Sequence, residues 1–229
     1  MDTVGQVRPK VAVVGVGGLG CPAAVGLAEA GVDLILIDDD RVELSNLQRQ
    51  TLFATTDVGR DKGEAARDEL LRRFPGVGVE VRRGRVSWDS ADRLLMGADL
   101  VLDGTDDPNC RFIVNGWTLN RGLPAVLGGV HRFRGLVLGH AGVGPCFRCL
   151  FEEDGPETET CEAAGVIGAL AGLVGHLMAE RALRLLAGDG TATGFLTTLD
   201  ALAARTRHLP LSRTPDCPAC GHAQEEPSR

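Results

Sequence analysis

The stretch Gly15-Val16-Gly17-Gly18-Leu19-Gly20 follows directly on the apolar run Val11-Ala12-Val13-Val14. A short unbroken apolar run is the pattern of a strand buried on both faces of a parallel sheet. The residues from about Cys21 to Ala30 have helical patterning that stops at Gly31. A glycine-rich turn between such a strand and helix lets backbone N–H groups approach a phosphate, while the helix N-terminus adds partial positive charge. Gly15, Gly17, Gly18 and Gly20 suit that role, although such glycines also serve plain helix–strand packing. The neighbouring motifs have to decide between the two.

The same texture repeats along the chain. Leu34–Ile37 is a second apolar run, and Asp57 is positioned to cap a helix reaching Phe74, before Pro75 and Gly76. Val77–Val81 alternates like a strand, Ser90–Met96 reads as a helix, Asp99–Asp103 as a strand, Asn109–Arg121 as a helix and Pro124–Leu127 as a strand. Repeated βα units predict an α/β fold: a doubly wound, mostly parallel sheet of Rossmann-like type with helices on both faces. After Gly129 the pattern changes to C-terminal antiparallel strands at Arg134–Ala141 and Phe195–Leu199. These flank an acidic stretch, Glu152–Glu162, expected to be a mobile loop, and a long helix at about Ala163–Ala187. The expected organisation is one domain over residues 1–221, with a nucleotide-binding core at about 10–130, a second region at about 131–221 and a frayed tail at 222–229.

The residues at the ends of these strands are polar and charged. Asp38 ends the second strand 18 positions beyond Gly20, where an acidic side chain accepts hydrogen bonds from ribose hydroxyls. Asp40, Ser45, Asn46, Arg49 and Gln50 crowd in after it, and Lys62 lies near the start of the next helix. Arginine offers a planar fork to phosphate oxygens and lysine a compact point charge, so Arg49 and Lys62 read as a triphosphate clamp or, failing that, as solvated surface charges. Asp106 and Asp107 follow a strand, at the sheet edge where ligands of open α/β sheets bind. Asp106 is a candidate magnesium ligand, because a hard cation beside ATP takes one or two carboxylates; the alternative is a turn or helix cap.

Charge and cysteine content exclude other classes. A net charge of −7 and a pI near 5.3 argue against a nucleic-acid binder. No signal pattern opens the chain, and Ala163–Ala179, the most apolar stretch, falls short of the roughly 20 residues a bilayer span needs. A cytoplasmic protein is expected. In that compartment Cys146-x-x-Cys149 and Cys217-x-x-Cys220 read as a closed structural zinc site rather than disulfides. Cys21 and Cys110 read as packing residues, and the five histidines show no ligand spacing.

Taken together in this order, GVGGLG, the acidic strand end with Ser45–Gln50, Val58-Gly59 with Lys62, Asp103–Asp106, Arg132 with Gly135, and the two cysteine pairs resemble the ubiquitin-activating-type adenylyltransferases, the ThiF/MoeB/HesA family, over nearly the whole chain. The resemblance implies attack by the C-terminal carboxylate of a Gly-Gly-ended, ubiquitin-like sulfur-carrier protein on the α-phosphate of MgATP. The products are an acyl-adenylate and pyrophosphate. It implies that Asp38 holds ribose, that Asn46, Arg49 and Lys62 contact phosphates, and that Asp106 organises Mg2+. It also implies a homodimer, and a possible covalent role for Cys161 opposed by the like charges of Glu159 and Glu162. Three departures stand out. Only 14 residues precede Gly15, so the N-terminal segment that in many relatives carries an arginine to the partner's ATP is expected to be short or absent, with Arg8 a poor match. Asp107 stands where the family usually has Asn. No sulfurtransferase domain follows the cysteines, so the sulfur donor is expected to be separate. The rival readings are a non-catalytic or peptide-directed relative that binds a tail without completing the reaction, and an NAD-dependent oxidoreductase.

Overall fold

The computed structural model describes residues 8–151 and 165–221. Eight strands form one sheet in the order β3-β2-β1-β4-β5-β6-β7-β8. They are β1 (Lys10–Val14), β2 (Asp33–Asp38), β3 (Val79–Arg83), β4 (Leu100–Asp103), β5 (Pro124–His131), β6 (Arg134–Ala141), β7 (Phe195–Asp200) and β8 (Arg205–Pro210). The pairs from β3 through β5 are parallel, and those from β5 through β8 antiparallel. The helices are α1 (Gly20–Glu29), α2 (Lys62–Arg73), α3 (Ala91–Leu95), α4 (Pro108–Leu119) and α5 (Gly168–Leu186).

The apolar runs are continuous because both sheet faces are covered. Val11, Val13, Leu34, Leu36, Leu100 and Leu102 point to one face and pack with residues of α1, α2 and α5. Ala12, Val14, Ile35, Ile37 and Val101 point to the other and meet α3 and α4. Successive strand side chains alternate between faces, so a strand covered on both sides needs apolar residues at every position. Strand order reverses between β1 and β4, and that reversal opens a crevice at the carboxyl ends of the strands.

Some boundaries differ from the sequence expectation. Asp57 caps only a short 3-10 turn, Thr55–Asp57, its Oδ2 accepting from Ala54 N–H at 2.9 Å. Gly59, at φ +88°, then breaks the path, and Asp61 is the residue that caps α2. Helix α5 begins at Gly168, because Gly165 stands at φ +73° and cannot continue a right-handed helix. β5 runs on through Gly128 and Gly129 to His131, each residue paired with β6. A Cβ at Gly128 would run into the Met178 side chain, so Gly128 records the close seating of α5 on the sheet rather than a strand end. β8 is an additional strand. Cys21 and Cys110 are buried as expected, and burial pushes the Cys21 thiol up to about 12. Among the described residues no helix is long and apolar enough to cross a membrane. The acidic stretch Glu152–Glu162, Cys161 and the tail 222–229 lie outside the described residues.

Gly20 and Gly172 give opposite expectations for stability. A Cβ at Gly20 would collide with the Gly15 carbonyl, a backbone atom with no room to yield, whereas one at Gly172 meets nothing within 4 Å. Gly20→Ala should lower unfolding free energy by about 3 kcal/mol or more. Gly172→Ala should raise it by about 0.5–1 kcal/mol. Denaturant midpoints at unchanged slope would measure both.

Candidate functional site

A cavity of about 610 Å³ occupies the crevice at the carboxyl end of the parallel strands. The glycine loop forms one wall, from Gly15 at φ +79° to the start of α1. Gly15, Gly17 and Gly18 line the cavity with Asp38, Asp40, Asn46, Arg49, Gln50, Lys62, Asp106 and Asp107. Gly20 and Ser45 do not. Gly20 serves the close seating of α1 on the loop, and the exposed Ser45 hydroxyl accepts from Asn46 Nδ2 at 2.9 Å and donates to Glu43 Oε2 at 3.3 Å.

Asp38 and Asp40, two of the three consecutive aspartates at the end of β2, have separate tasks. Asp38 accepts from Val16 N–H at 2.7 Å through one oxygen and from Asp40 N–H at 2.9 Å through the other. It therefore ties the glycine loop to β2. Burial raises its pKa, with the Lys62 charge and the two backbone donors pulling the other way. Asp40 is the open one, its side chain 59% exposed, and Lys62 Nζ donates to its Oδ2 at 2.8 Å. Lys62 itself is buried at the first position of α2. Burial pulls its pKa down, but Asp38 and Asp40 outweigh that and the net shift is upward, so the ammonium is held charged at the cavity wall.

Arg49 lays its aliphatic stem against Gly18, and among the described residues its guanidinium makes no ion pair. Gln50 is buried and donates to Asn46 Oδ1 at 2.7 Å, while its own carbonyl Oε1 has no partner among the described residues. Across the crevice Asp106 is exposed at the cavity rim. Asp107 caps α4, its Oδ1 accepting from Asn109 N–H at 2.9 Å. The cap reading of Asp107 thus has a direct geometric counterpart, alongside its place in the cavity wall.

Several wall residues carry no signal used in the sequence reading. Arg111 donates to the carbonyls of Gly128 at 3.1 Å and Thr105 at 2.6 Å, linking β5 to the loop that bears Asp106. Its spacing of four from Asp107, one turn along a helix, was the available clue. Gly84, Arg85 and Val86 follow β3, whose place beside β2 only strand order reveals. Val130 enters from the end of β5, and Val166 and Ala171 through the return of the chain after residue 164.

A second cluster lies beyond β6. Cys146, Cys149, Cys217 and Cys220 bring their sulfurs within 4.8 Å of one another, with Sγ–Sγ separations of 3.7 Å (146–217), 4.0 Å (146–149) and 3.4 Å (149–220). Those lengths are far beyond the roughly 2.05 Å of a disulfide. They match the edge of about 3.8 Å of a tetrahedron whose centre lies about 2.3 Å from each sulfur, the zinc–thiolate bond length. Thr214 N–H donates to Cys149 Sγ at 3.5 Å. Although burial raises the Cys149 pKa, backbone N–H groups of Cys146 and Thr214 with neighbouring thiols outweigh it and bring the thiol down to about 7. The donor set fits a soft, tetrahedral metal. Among the described residues no histidine joins a metal-ligating group.

Comparisons with known proteins agree with this geometry. A family model described as the ThiF family matches residues 6–219. The sulfur carrier protein adenylyltransferase of Thermus thermophilus is 40% identical over 97% of this chain and 84% of its own length. The SAMP-activating enzyme E1 of Haloferax volcanii is 39% identical over 96% and 86%. The molybdopterin-synthase adenylyltransferase of Salmonella typhimurium is 40% identical over 93% and 87%. Among solved structures, E. coli MccB with ATP superposes with a TM-score of 0.82 over 93% of this chain and 67% of the MccB chain, at 23% identity, which is a likeness of fold. With a matching model over nearly its full length and relatives at this level of identity, the chain belongs to the ThiF family.

Proposed function

We propose that this protein is an ATP-dependent adenylyltransferase that activates the C-terminal Gly-Gly carboxylate of a ubiquitin-like sulfur-carrier protein. The observation that carries the reading is the convergence of the glycine loop, Arg49, buried Lys62 and exposed Asp40 and Asp106 on one cavity, in a chain about 40% identical to adenylyltransferases of such carriers.

The reaction needs little acid–base chemistry. A carboxylate nucleophile is already ionised at neutral pH, so the protein's task is alignment and charge neutralisation. A carboxylate oxygen bonds to the α-phosphorus as the bond from that phosphorus to the α,β-bridging oxygen breaks. Pyrophosphate leaves with the electron pair, and the carrier is left as an acyl-adenylate ready for sulfur transfer. The loop N–H groups, Arg49, Asn46 and Lys62 hold the phosphates and offset charge on the departing pyrophosphate. Gln50 fixes the Asn46 amide. Asp106 is the oxygen donor suited to Mg2+, which supplies further charge neutralisation at the phosphates when bound.

The geometry favours Asp40 as the ribose-binding carboxylate and Asp38 as the anchor of the loop, since both oxygens of Asp38 already receive backbone N–H groups. Asp107 in place of the usual Asn is compatible with the site because both residue types cap a helix N-terminus well. Zn2+ is the metal proposed for the four cysteines, where it would tie the C-terminal segment to the turn after β6. We further propose a single ThiF-type domain over residues 1–221, a homodimer, a separate sulfur donor and a cytoplasmic location. A covalent role for Cys161 stays a proposal from the resemblance, testable by thiocarboxylate formation in Cys161→Ala.

In ATP–pyrophosphate exchange with a Gly-Gly-ended carrier, Arg49→Ala should reduce the rate by about 100-fold or more with the melting temperature unchanged. A near-normal rate would remove Arg49 from the site. Asp40→Asn should raise the KM for ATP while leaving stability intact, whereas Asp38→Asn should lower stability as well; equal effects would defeat the division of labour. Metal analysis should find about one zinc per chain. Cys217→Ser should lose the zinc and fall in melting temperature, and a metal-free wild-type protein of full stability would contradict the assignment. Absence of exchange with any carrier from the same organism would favour the tail-binding rival, and a thermal shift with NAD but none with ATP would favour the oxidoreductase.

A further inference from the structure

The cavity lining extends beyond the residues assigned to the phosphates. Its cationic end, at the glycine loop, Arg49 and Lys62, and the acidic residues Asp38 and Asp40 leave a third portion at the loop Gly84–Val86. This loop continues β3 beyond the register pair Asp38↔Arg83, so it lies beside the end of β2 on the side away from the glycine loop after β1. The loop is fixed: Gly84 N–H donates to the Asp38 carbonyl at 3.3 Å, and Ser90 Oγ donates to the Arg85 carbonyl at 2.8 Å. Val86 is buried and gives that portion an apolar floor.

A purine base placed there gains from a planar partner, and none of the described residues lining the cavity is aromatic. Guanidinium groups are the planar cations among those residues, suited to stack on a base. Of the four arginines that line the cavity, Arg41 donates to the Gly59 carbonyl at 2.7 Å, Arg111 is tied to two carbonyls, and Arg49 lies along Gly18 at the opposite end. Arg85 is the exception. Its side chain is 71% exposed, and its partner is the exposed Asp39, at 3.8 Å, a separation that leaves the guanidinium plane free to turn. We propose that Arg85 closes over the base of the bound nucleotide, stacking its guanidinium on the purine face against the Val86 floor, and so contributes base affinity from a loop outside the phosphate machinery. The assignment rests on the ATP reading of the cavity.

The test compares MgATP with inorganic tripolyphosphate, which has the phosphates and no base, by calorimetric titration of the full chain. Arg85→Ala should weaken MgATP by about tenfold, leave tripolyphosphate affinity and the nucleotide-free melting temperature unchanged, and raise the KM for ATP in exchange with little change in kcat. Arg85→Lys should stay weak, since it keeps the charge and loses the plane. The proposal is overturned if MgATP affinity survives in Arg85→Ala, if tripolyphosphate weakens in parallel, or if Arg85→Lys restores binding. Failure of the unaltered chain to bind MgATP at all would instead overturn the adenylyltransferase reading, and Arg85 with it.

Discussion

The seating of α1 on the end of β1 governs the geometry of everything that follows. Gly20 lets the helix backbone meet the Gly15 carbonyl directly, and Asp38 then fixes the loop between them by accepting from Val16 N–H. A side chain at position 20 would lift the helix N-terminus away from the crevice. The N–H groups and the positive end of the helix would lift with it, and no arrangement of Arg49 and Lys62 could make good their aim. The contribution of the loop is therefore a backbone position held by packing on one side and by a buried carboxylate on the other.

Electrostatics within the crevice is local rather than global. The chain carries a net charge of −7, yet Arg49 and Lys62 both line the cavity close to the glycine loop. Lys62 remains charged although buried, because Asp38 and Asp40 stand beside it. Those carboxylates also keep the loop and the lysine in fixed relation. Arg111 performs a related task on the opposite wall, its guanidinium joining the β5 end to the Asp106 loop near the buried Asp103 carboxylate.

Much of the architecture was legible because its causes are local in sequence. Apolar runs such as Leu34–Ile37 signal strands covered on both faces, and α1 and α4 are bounded by Gly31 and by the Asp107-Pro108 cap. Where two local signals compete, the sequence was ambiguous: Asp57 and Asp61 are both good caps, and Gly59 between them decided which one begins a helix. β8 carries no readable signal because all six of its residues are exposed, leaving no apolar face to alternate. Gly128 looked like the end of a strand, although it is a place where α5 sits too close to the sheet for a side chain.

The sequence by itself determined the α/β class, the membership of the ThiF family and the chemical inventory: a glycine loop, two acidic strand ends, a pair of cations and two cysteine pairs. These follow from residue type and short spacing, which act through backbone preference and side-chain chemistry alone. Tertiary structure decided how that inventory is divided. It made Asp38 an anchor and left Asp40 open, turned Gly20 into a packing residue, kept Ser45 out of the cavity, and added Arg111 and the Gly84–Val86 loop to its walls. It also brought Cys217 and Cys220 to Cys146 and Cys149 across the sheet. Such outcomes depend on strand order and on which polar atoms find partners within the fold, and both are set by contacts between residues far apart in the chain.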